Sequence, residues 1–154
     1  MAKSYRFERS QTVPRPRAEI FAFFSDASNL GKITPPFVGF EMLSKTPLVI
    51  GEGTLIDYKL RLYGVPVRWQ TRIETFERDV AFTDIQLKGP YRRWHHRHTF
   101  TDVPGGTRMD DVVDYELPLG VLGSIAHALF VARSLEQIFD YRRKVITELF
   151  GAAP

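Results

Sequence analysis

The chain has no cysteine. That absence excludes disulfides, thiolate metal sites and thiol nucleophiles together, so stability has to come from packing. No apolar run approaches the roughly 18 residues that span a bilayer, and His127 and Arg133 bracket the most apolar stretch. The opening residues, Met1 to Gln11, alternate and carry charge, unlike the greasy core of a secretory leader; a cytoplasmic location without membrane insertion is expected. Charge of one sign is scarce too. The net charge is +3 and the pI about 9.3, too small an excess to argue for nucleic acid. No glycine-rich dinucleotide loop, internal repeat or linker interrupts the sequence, so one domain over residues 1–154 is expected.

Aromatic area is what the sequence has in quantity: 12 Phe, 6 Tyr and 2 Trp make up 13% of the chain. That content points to a core or cavity with large flat walls. The main organising stretch is Pro118 to Phe150, above all from Val131 onward. Val131, Leu135, Ile138, Val145 and Leu149 recur at helical spacing, widened by Phe139, Ile146 and Phe150. Arg133, Glu136, Gln137, Asp140, Arg143, Lys144 and Glu148 fall on the other side. This is an amphipathic helix, with Gly151 placed where a left-handed cap would end it. Its stripe needs a sheet to lie on.

The rest supplies that sheet. Lys3 to Val13 alternates as a first strand; Pro14 and Pro16 stop it, and two short helices follow, one around Ile20 to Phe24 and one through Leu30 and Ile33. Phe40 to Ser44, Thr54 to Tyr63, the stretch around Val67 to Ile73, Val80 to Leu87, Arg92 to Thr101 and Thr107 to Glu116 complete seven strands. Hairpin-length connections make neighbours antiparallel, and so long a meander curls. The parity of Val80 to Leu87 is ambiguous, because Ala81, Thr83, Ile85 and Leu87 compete with Phe82, Asp84 and Gln86 for the inside.

This order of elements, with VPRPRAEIFAFFSDASNLGKITPP, GPYRRWHHRHTF, GGTRMDDVVDYELPLG and FDYRR, resembles the SRPBCC superfamily, most nearly its bacterial ligand-binding and cyclase/dehydrase-like members. The resemblance implies an α+β helix-grip (START-like) fold: a seven-stranded antiparallel curved sheet wrapped around a long C-terminal helix, with two short helices after the first strand. One such fold carries many functions. Some similar proteins are fused to sugar-nucleotide epimerases, an activity for which no dinucleotide loop is present here.

Strand parity nominates the cavity wall: Tyr58, Trp69, Thr71, Asp84, Gln86, Trp94, His96, His98, Phe100, Met109, Asp111 and Tyr115, with Arg142 entering from the apolar stripe of the helix. Three readings of His96 and His98 stand open. They form a hydrogen-bonded network with Asp84, Asp111 and a tyrosine that fixes strand register and binds nothing. They line a cavity for a small, largely hydrophobic, aromatic or polycyclic, oxygen-bearing ligand; in an enzyme, a histidine held by Asp84 or Asp111 would act as the base of an aldol cyclisation or dehydration, with Tyr58 or the other histidine polarising the oxygen. Or they bind metal, but H-x-H spacing without a distinct third ligand is a weak signal, so neither metal nor cofactor is expected. His95 is read as external and His127 as lying near the cavity mouth. Arg68, Arg72, Arg93, Arg97 and Arg108 form a basic convex face, read as solvated and paired with Glu74, Asp110, Asp114 and Glu116. A protein-interaction module is the remaining alternative, and a homodimer is left open.

Overall fold

A computed structural model describes residues 3–62 and 64–152. Tyr63, the expected end of one strand, lies outside the described residues. The strands are β1 (Ser4–Val13), β2 (Glu41–Met42), β3 (Leu55–Leu62), β4 (Val65–Glu77), β5 (Ala81–Lys88), β6 (Arg93–Val103) and β7 (Gly106–Glu116). They form one antiparallel sheet in the order β1-β7-β6-β5-β4-β3-β2, a continuous meander from β2 to β7 closed by β1 at the far edge. β1 runs in unbroken register with β7, from Ser4 opposite Glu116 to Val13 opposite Thr107. The sheet curves around the C-terminal helix, which is the helix-grip arrangement of an α+β fold.

Between β1 and β2 lie α1 (Arg17–Phe24) and two 3₁₀ turns, Ala27–Ile33 and Pro36–Val38. The second expected helix is thus the tighter 3₁₀ form. Asp26 caps it: its carboxylate accepts from the Ser28 amide at 3.0 Å and the Ser28 hydroxyl at 2.6 Å. Pro35 and Pro36, at its far end, have no amide hydrogen to continue it.

The expected C-terminal helix from Val131 onward is α3 (Ala132–Phe150), and it is led into by α2 (Gly120–Ala126) and a π turn (His127–Val131). α3 buries Leu135, Phe139 and Ile146. Leu149, placed on the stripe by its spacing, is 45% exposed, because it sits on the flank of the face those three residues define. Gly151 has φ 96° and ψ 167°, not the left-handed helical cap expected of it, though its amide still donates to the Thr147 carbonyl at 2.8 Å. Polar contacts fix the helix against β1. Gln11 Nε2 donates to the Arg143 carbonyl and to Thr147 Oγ1, both at 3.1 Å, Arg143 donates to the Ser10 carbonyl, and Arg9 pairs with Asp140 at 2.9 Å.

The core divides along this helix. Val13, Ile20, Phe21, Ile73, Phe82, Phe100, Met109 and Ile146 pack where α1 meets the sheet. Val113, Tyr115, Leu135 and Phe139 pack near β7, and Val38, Leu60 and Trp69 pack near β3 and β4. The gap between these clusters is the cavity described below.

The β6–β7 hairpin turns at Pro104 and Gly105, with Gly106 opening β7 beneath β1. A methyl group on Gly106 would stand 1.9 Å from the Val13 carbonyl oxygen, whereas one on Gly105 would meet nothing within 4 Å but sit at φ 84°. Gly105→Ala should therefore cost about 1–2 kcal/mol of stability, the left-handed penalty, and Gly106→Ala about 3 kcal/mol or more, because backbone has to move. Denaturant unfolding of the two variants checks the order; equal losses would contradict the close approach.

Candidate functional site

Between the sheet, the two 3₁₀ turns and α3 lies a cavity of about 200 Å³. The meander brings β3 to β6 around one side of it. Tyr58, Trp69, Thr71, Asp84, Trp94, His96 and His98 line it from the strands, and Leu135, Ile138, Phe139 and Arg142 from α3. Aromatic rings make one corner. Tyr58 stacks on Trp69 at 5.9 Å between centroids, and Trp94 and Tyr91 meet the Trp69 ring edge-on at 5.3 and 5.6 Å. Trp69 is 7% exposed, and its indole N–H donates to Thr71 Oγ1 at 3.0 Å, so the buried ring keeps its one polar atom satisfied. Burial raises the Tyr58 phenol far above its ordinary value, which keeps it a neutral hydrogen-bonding group.

Beside that corner, where Trp94 meets His96 edge-on at 6.2 Å, the wall is charged. His96 and His98, two residues apart on β6, point to the same side, and their rings stack at 3.7 Å. Carboxylates flank them. His96 Nε2–H donates to Asp111 Oδ1 at 2.8 Å, and His98 Nε2–H donates to Asp84 Oδ2 at 2.6 Å. The other two nitrogens reach across: His96 Nδ1 lies 3.7 Å from Asp84 Oδ2, and His98 Nδ1 lies 3.2 Å from Asp111 Oδ1. His98 Nδ1 has no hydrogen-bond partner of good geometry among the described residues. Arg142 closes the cluster from α3, with Nη2 3.7 Å from Asp111 Oδ1 and its guanidinium over the rings of Phe24 and Phe139.

Burial alone would push every one of these groups toward its neutral form. At Asp111 burial is outweighed by the Arg142 charge, by the bond from His96 and by the nearby His98 ring, and its carboxyl lies well below the ordinary range. Burial likewise works against ionised Asp84, but the two histidines and Arg142 win and its carboxyl is lowered. His96 is lowered by burial and then by the neighbouring His98 charge. For His98 burial is overcome by contacts with Asp111 and Asp84, and its pKa is raised. At pH 6.5 the cluster therefore sets two carboxylates against the Arg142 cation and a mainly protonated His98, with His96 mainly neutral.

Not every residue nominated by parity faces the cavity. Phe100, Met109 and Asp111 line a separate recess of about 20 Å³ that shares His98, Phe139 and Arg142 with it, room for about one water molecule. Gln86 folds away, donating to the Tyr91 carbonyl at 2.7 Å and accepting from the Tyr91 amide at 3.1 Å. Tyr115 is buried beside Val113 and Leu135; its hydroxyl meets His127 Nε2 at 2.7 Å, and burial raises its pKa to about 12. His127 stacks on Tyr5 at 3.6 Å, on the β1 and β7 side rather than at a mouth, and no residue from Pro118 to Ser134 lines the cavity. His95 lies 3.9 Å from Glu74. Asp110 pairs with Arg108 as expected, but Asp114 is taken by Arg6 and Glu116 by Arg92.

Parity missed the wall contributed by the N-terminal segment: Phe23, Phe24, Asn29, Leu30, Ile33 and Thr34, with Val38 from the second 3₁₀ turn and Phe40 and Tyr91 from loops. A signal was available, since α1 carries phenylalanines at Phe21, Phe23 and Phe24. A helix apolar on more than one side has two surfaces to cover.

A family model described as polyketide cyclase / dehydrase and lipid transport matches residues 13–142. Solved structures share the fold at low identity. The Zhui aromatase/cyclase from Streptomyces sp. R1128 superposes with a TM-score of 0.67 at 14% identity, covering 96% of each chain. A START superfamily protein from Mycobacterium smegmatis gives 0.69 at 14%, covering 94% of this chain and 98% of that one. A nucleoside-diphosphate sugar epimerase from Corynebacterium glutamicum gives 0.66 at 23%, covering 92% of this chain but 28% of that one. A search of curated proteins finds no match.

The opposed histidines have a direct readout. With His98 above 6.5 and His96 below it, nitrogen NMR at pH 6.5 should find His98 mainly cationic and His96 mainly neutral; two rings titrating together would contradict the balance. In the stability curve, His98 contributes below pH 6.5 and loses its share as pH rises through its folded value. His96 does the reverse, losing its share as pH falls from 6.5. Together they place a stability maximum near pH 6.5. A further loss is expected below pH 3.8, as Asp84 and Asp111 take up protons. Asp111→Ala should reduce that acid limb to the share of Asp84 and cost about 3–5 kcal/mol at pH 7, measured by denaturant unfolding.

Proposed function

The chain belongs to the polyketide cyclase / dehydrase and lipid transport family, and from that premise we propose that it binds a small, largely hydrophobic, aromatic or polycyclic molecule bearing oxygen, held in the cavity between sheet and α3. One observation carries the reading: a cavity walled by packed aromatic rings and, adjoining them, by a set of charged and directional groups. An apolar wall with a few oriented polar groups is what a flat, oxygenated guest requires. Trp69, Trp94 and Tyr58 would cover its faces, and Thr71, His96, His98 and Arg142 would meet its oxygens. The protein would act as a single cytoplasmic domain without nucleic acid or membrane insertion.

A second reading, acid–base catalysis of cyclisation or dehydration, is favoured by the state of His96. Its Nε2–H is spent on an ionised carboxylate, so its Nδ1 carries a lone pair, held in place as a general base requires. That nitrogen would take a proton from a carbon next to a carbonyl while Tyr58 donated a hydrogen bond to the forming enolate oxygen. The Zhui aromatase/cyclase shares the fold, which fits either reading.

Native mass spectrometry of the purified protein, followed by thermal-shift screening against fatty acids, flavonoids, sterols, quinones and polyketide intermediates, tests the binding reading. A ligand at a hundredfold excess over its Kd should raise the Tm by roughly 5–10 °C, and Trp69→Ala should abolish most of that rise. Absence of both an adduct and a shift across all classes would refute it. For a binder His96→Ala costs little affinity and there is no turnover to lose; for an enzyme the same variant keeps binding and loses turnover.

A further inference from the structure

We propose that Asp84, His96 and His98 form a binding site for one divalent first-row transition metal, zinc or ferrous iron, open toward the cavity. H-x-H spacing on a strand supplies two donors and leaves a third to be found. The fold supplies it from the neighbouring strand: β5 pairs with β6 so that Asp84 stands opposite His96 and one step along from His98. One ligand atom from each of the three residues can be chosen so that all lie within 4.8 Å of one another, and all three side chains line the cavity.

The arrangement of the remaining nitrogens is the independent observation. Metal-binding histidines generally present one nitrogen to the metal and give the other N–H to a carboxylate that fixes the ring. Here one carboxylate serves both rings. His96 Nε2 is 2.8 Å and His98 Nδ1 is 3.2 Å from Asp111 Oδ1, while the opposite nitrogens, His96 Nδ1 and His98 Nε2, face Asp84 Oδ2 at 3.7 and 2.6 Å. Asp111 lies behind the rings and Asp84 in front of them. Arg142, 3.7 Å from Asp111, offsets the rear carboxylate at closest range, while the front one bonds His98 Nε2, whose proton a metal would replace. The buried His98 Nδ1, unbonded in the present hydrogen-bond pattern, acquires a role as the N–H that turns to Asp111.

Binding would replace the proton on His98 Nε2, which leaves to solvent, and would draw the three donors to about 2.0–2.2 Å from the ion. Two imidazoles and one carboxylate leave at least one coordination position free. That position faces the cavity, where a ligand oxygen or a water would complete the shell.

The site does not depend on the organic ligand, so it is tested without one. Protein stripped with a chelator is titrated with Zn²⁺, with Co²⁺ as the visible-absorption probe and with Fe²⁺ under anaerobic conditions. One saturable equivalent is expected, with the nitrogen NMR signals of His96 Nδ1 and His98 Nε2 shifting and those of His95 and His127 unmoved. The coordination number that the Co²⁺ spectrum reports, four for a zinc-like site and five or six for an iron-like one, then decides between the two metals. Asp84→Ala should abolish binding, Asp111→Asn should weaken it about 10–100-fold, and His95→Gln on the convex face should leave it intact. The NMR assignment is read on the unmodified chain, so it decides the case even where a buried variant fails to fold. No saturable binding, or shifts confined to His95 and His127, would overturn the proposal and leave the cluster as a hydrogen-bonded network; a ligand-induced rise in Tm in chelator-treated protein would stand regardless.

Discussion

The carboxylate of Asp111 is the constraint on which the rest of the site depends. It is mostly buried, on a strand in the middle of the β1 side of the sheet, where an unpaired charge would cost several kcal/mol. Three partners from two different elements meet that cost: His96 and His98 from β6 and Arg142 from α3. Because one of them comes from the helix, the electrostatic requirement of the strand is also a docking requirement of α3. The helix cannot slide along the sheet without uncovering Asp111. This complements the bonds that Gln11 and Arg143 make between β1 and the same helix.

That anchoring accounts for the hollow beside it. A curved sheet and a straight helix of 19 residues touch well only over part of their length. The contact is dense where α1 adds Ile20 and Phe21 and where β7 brings Val113 and Tyr115. Between those regions the rings of Tyr58, Trp69, Tyr91 and Trp94 pack against one another rather than against α3 alone. Rings braced by neighbours hold the wall open, since each would need to leave its partners before it could fill the space.

How far the sequence foretold this varies element by element. β4 was legible because Val67, Trp69, Thr71 and Ile73 alternate cleanly with charged residues, and α3 because Leu135, Phe139 and Ile146 recur at helical spacing. β5 was not: Ala81, Phe82 and Thr83 are all buried, which erases the period-two signal at its start. Its cavity face is nevertheless the one carrying Phe82 and Asp84, while Leu87 is 42% exposed. Gln86 has the same parity yet turns back on the loop at Tyr91, because a side chain can bond locally wherever a turn presents free backbone groups. The N-terminal wall was invisible to a strand-parity argument, since Phe23 and Phe24 come from a helix. The π turn at His127–Val131 has no residue pattern that announces it.

The balance of charge limits what the cavity can receive. Asp84 and Asp111 are offset by Arg142 and the His98 cation, so a neutral guest enters without altering the protonation of the wall. A guest with a carboxylate or phenolate would add a third negative charge to a space with little water to screen it. The group best placed to compensate is His96, which is neutral only because burial and the His98 charge hold it so; an anion nearby works against both. Binding of an acidic ligand would therefore carry a proton with it, tightening as pH falls, whereas a neutral polycycle would bind with little dependence on pH. The same reasoning separates ligand from metal. A cation at Asp84 displaces the His98 proton and makes the wall more positive, so an anionic oxygen becomes the guest it favours. Neutral guest, protonated guest and metal-held oxygen are thus three electrostatic states of one set of side chains, each defined by how the charges of Asp84 and Asp111 are met.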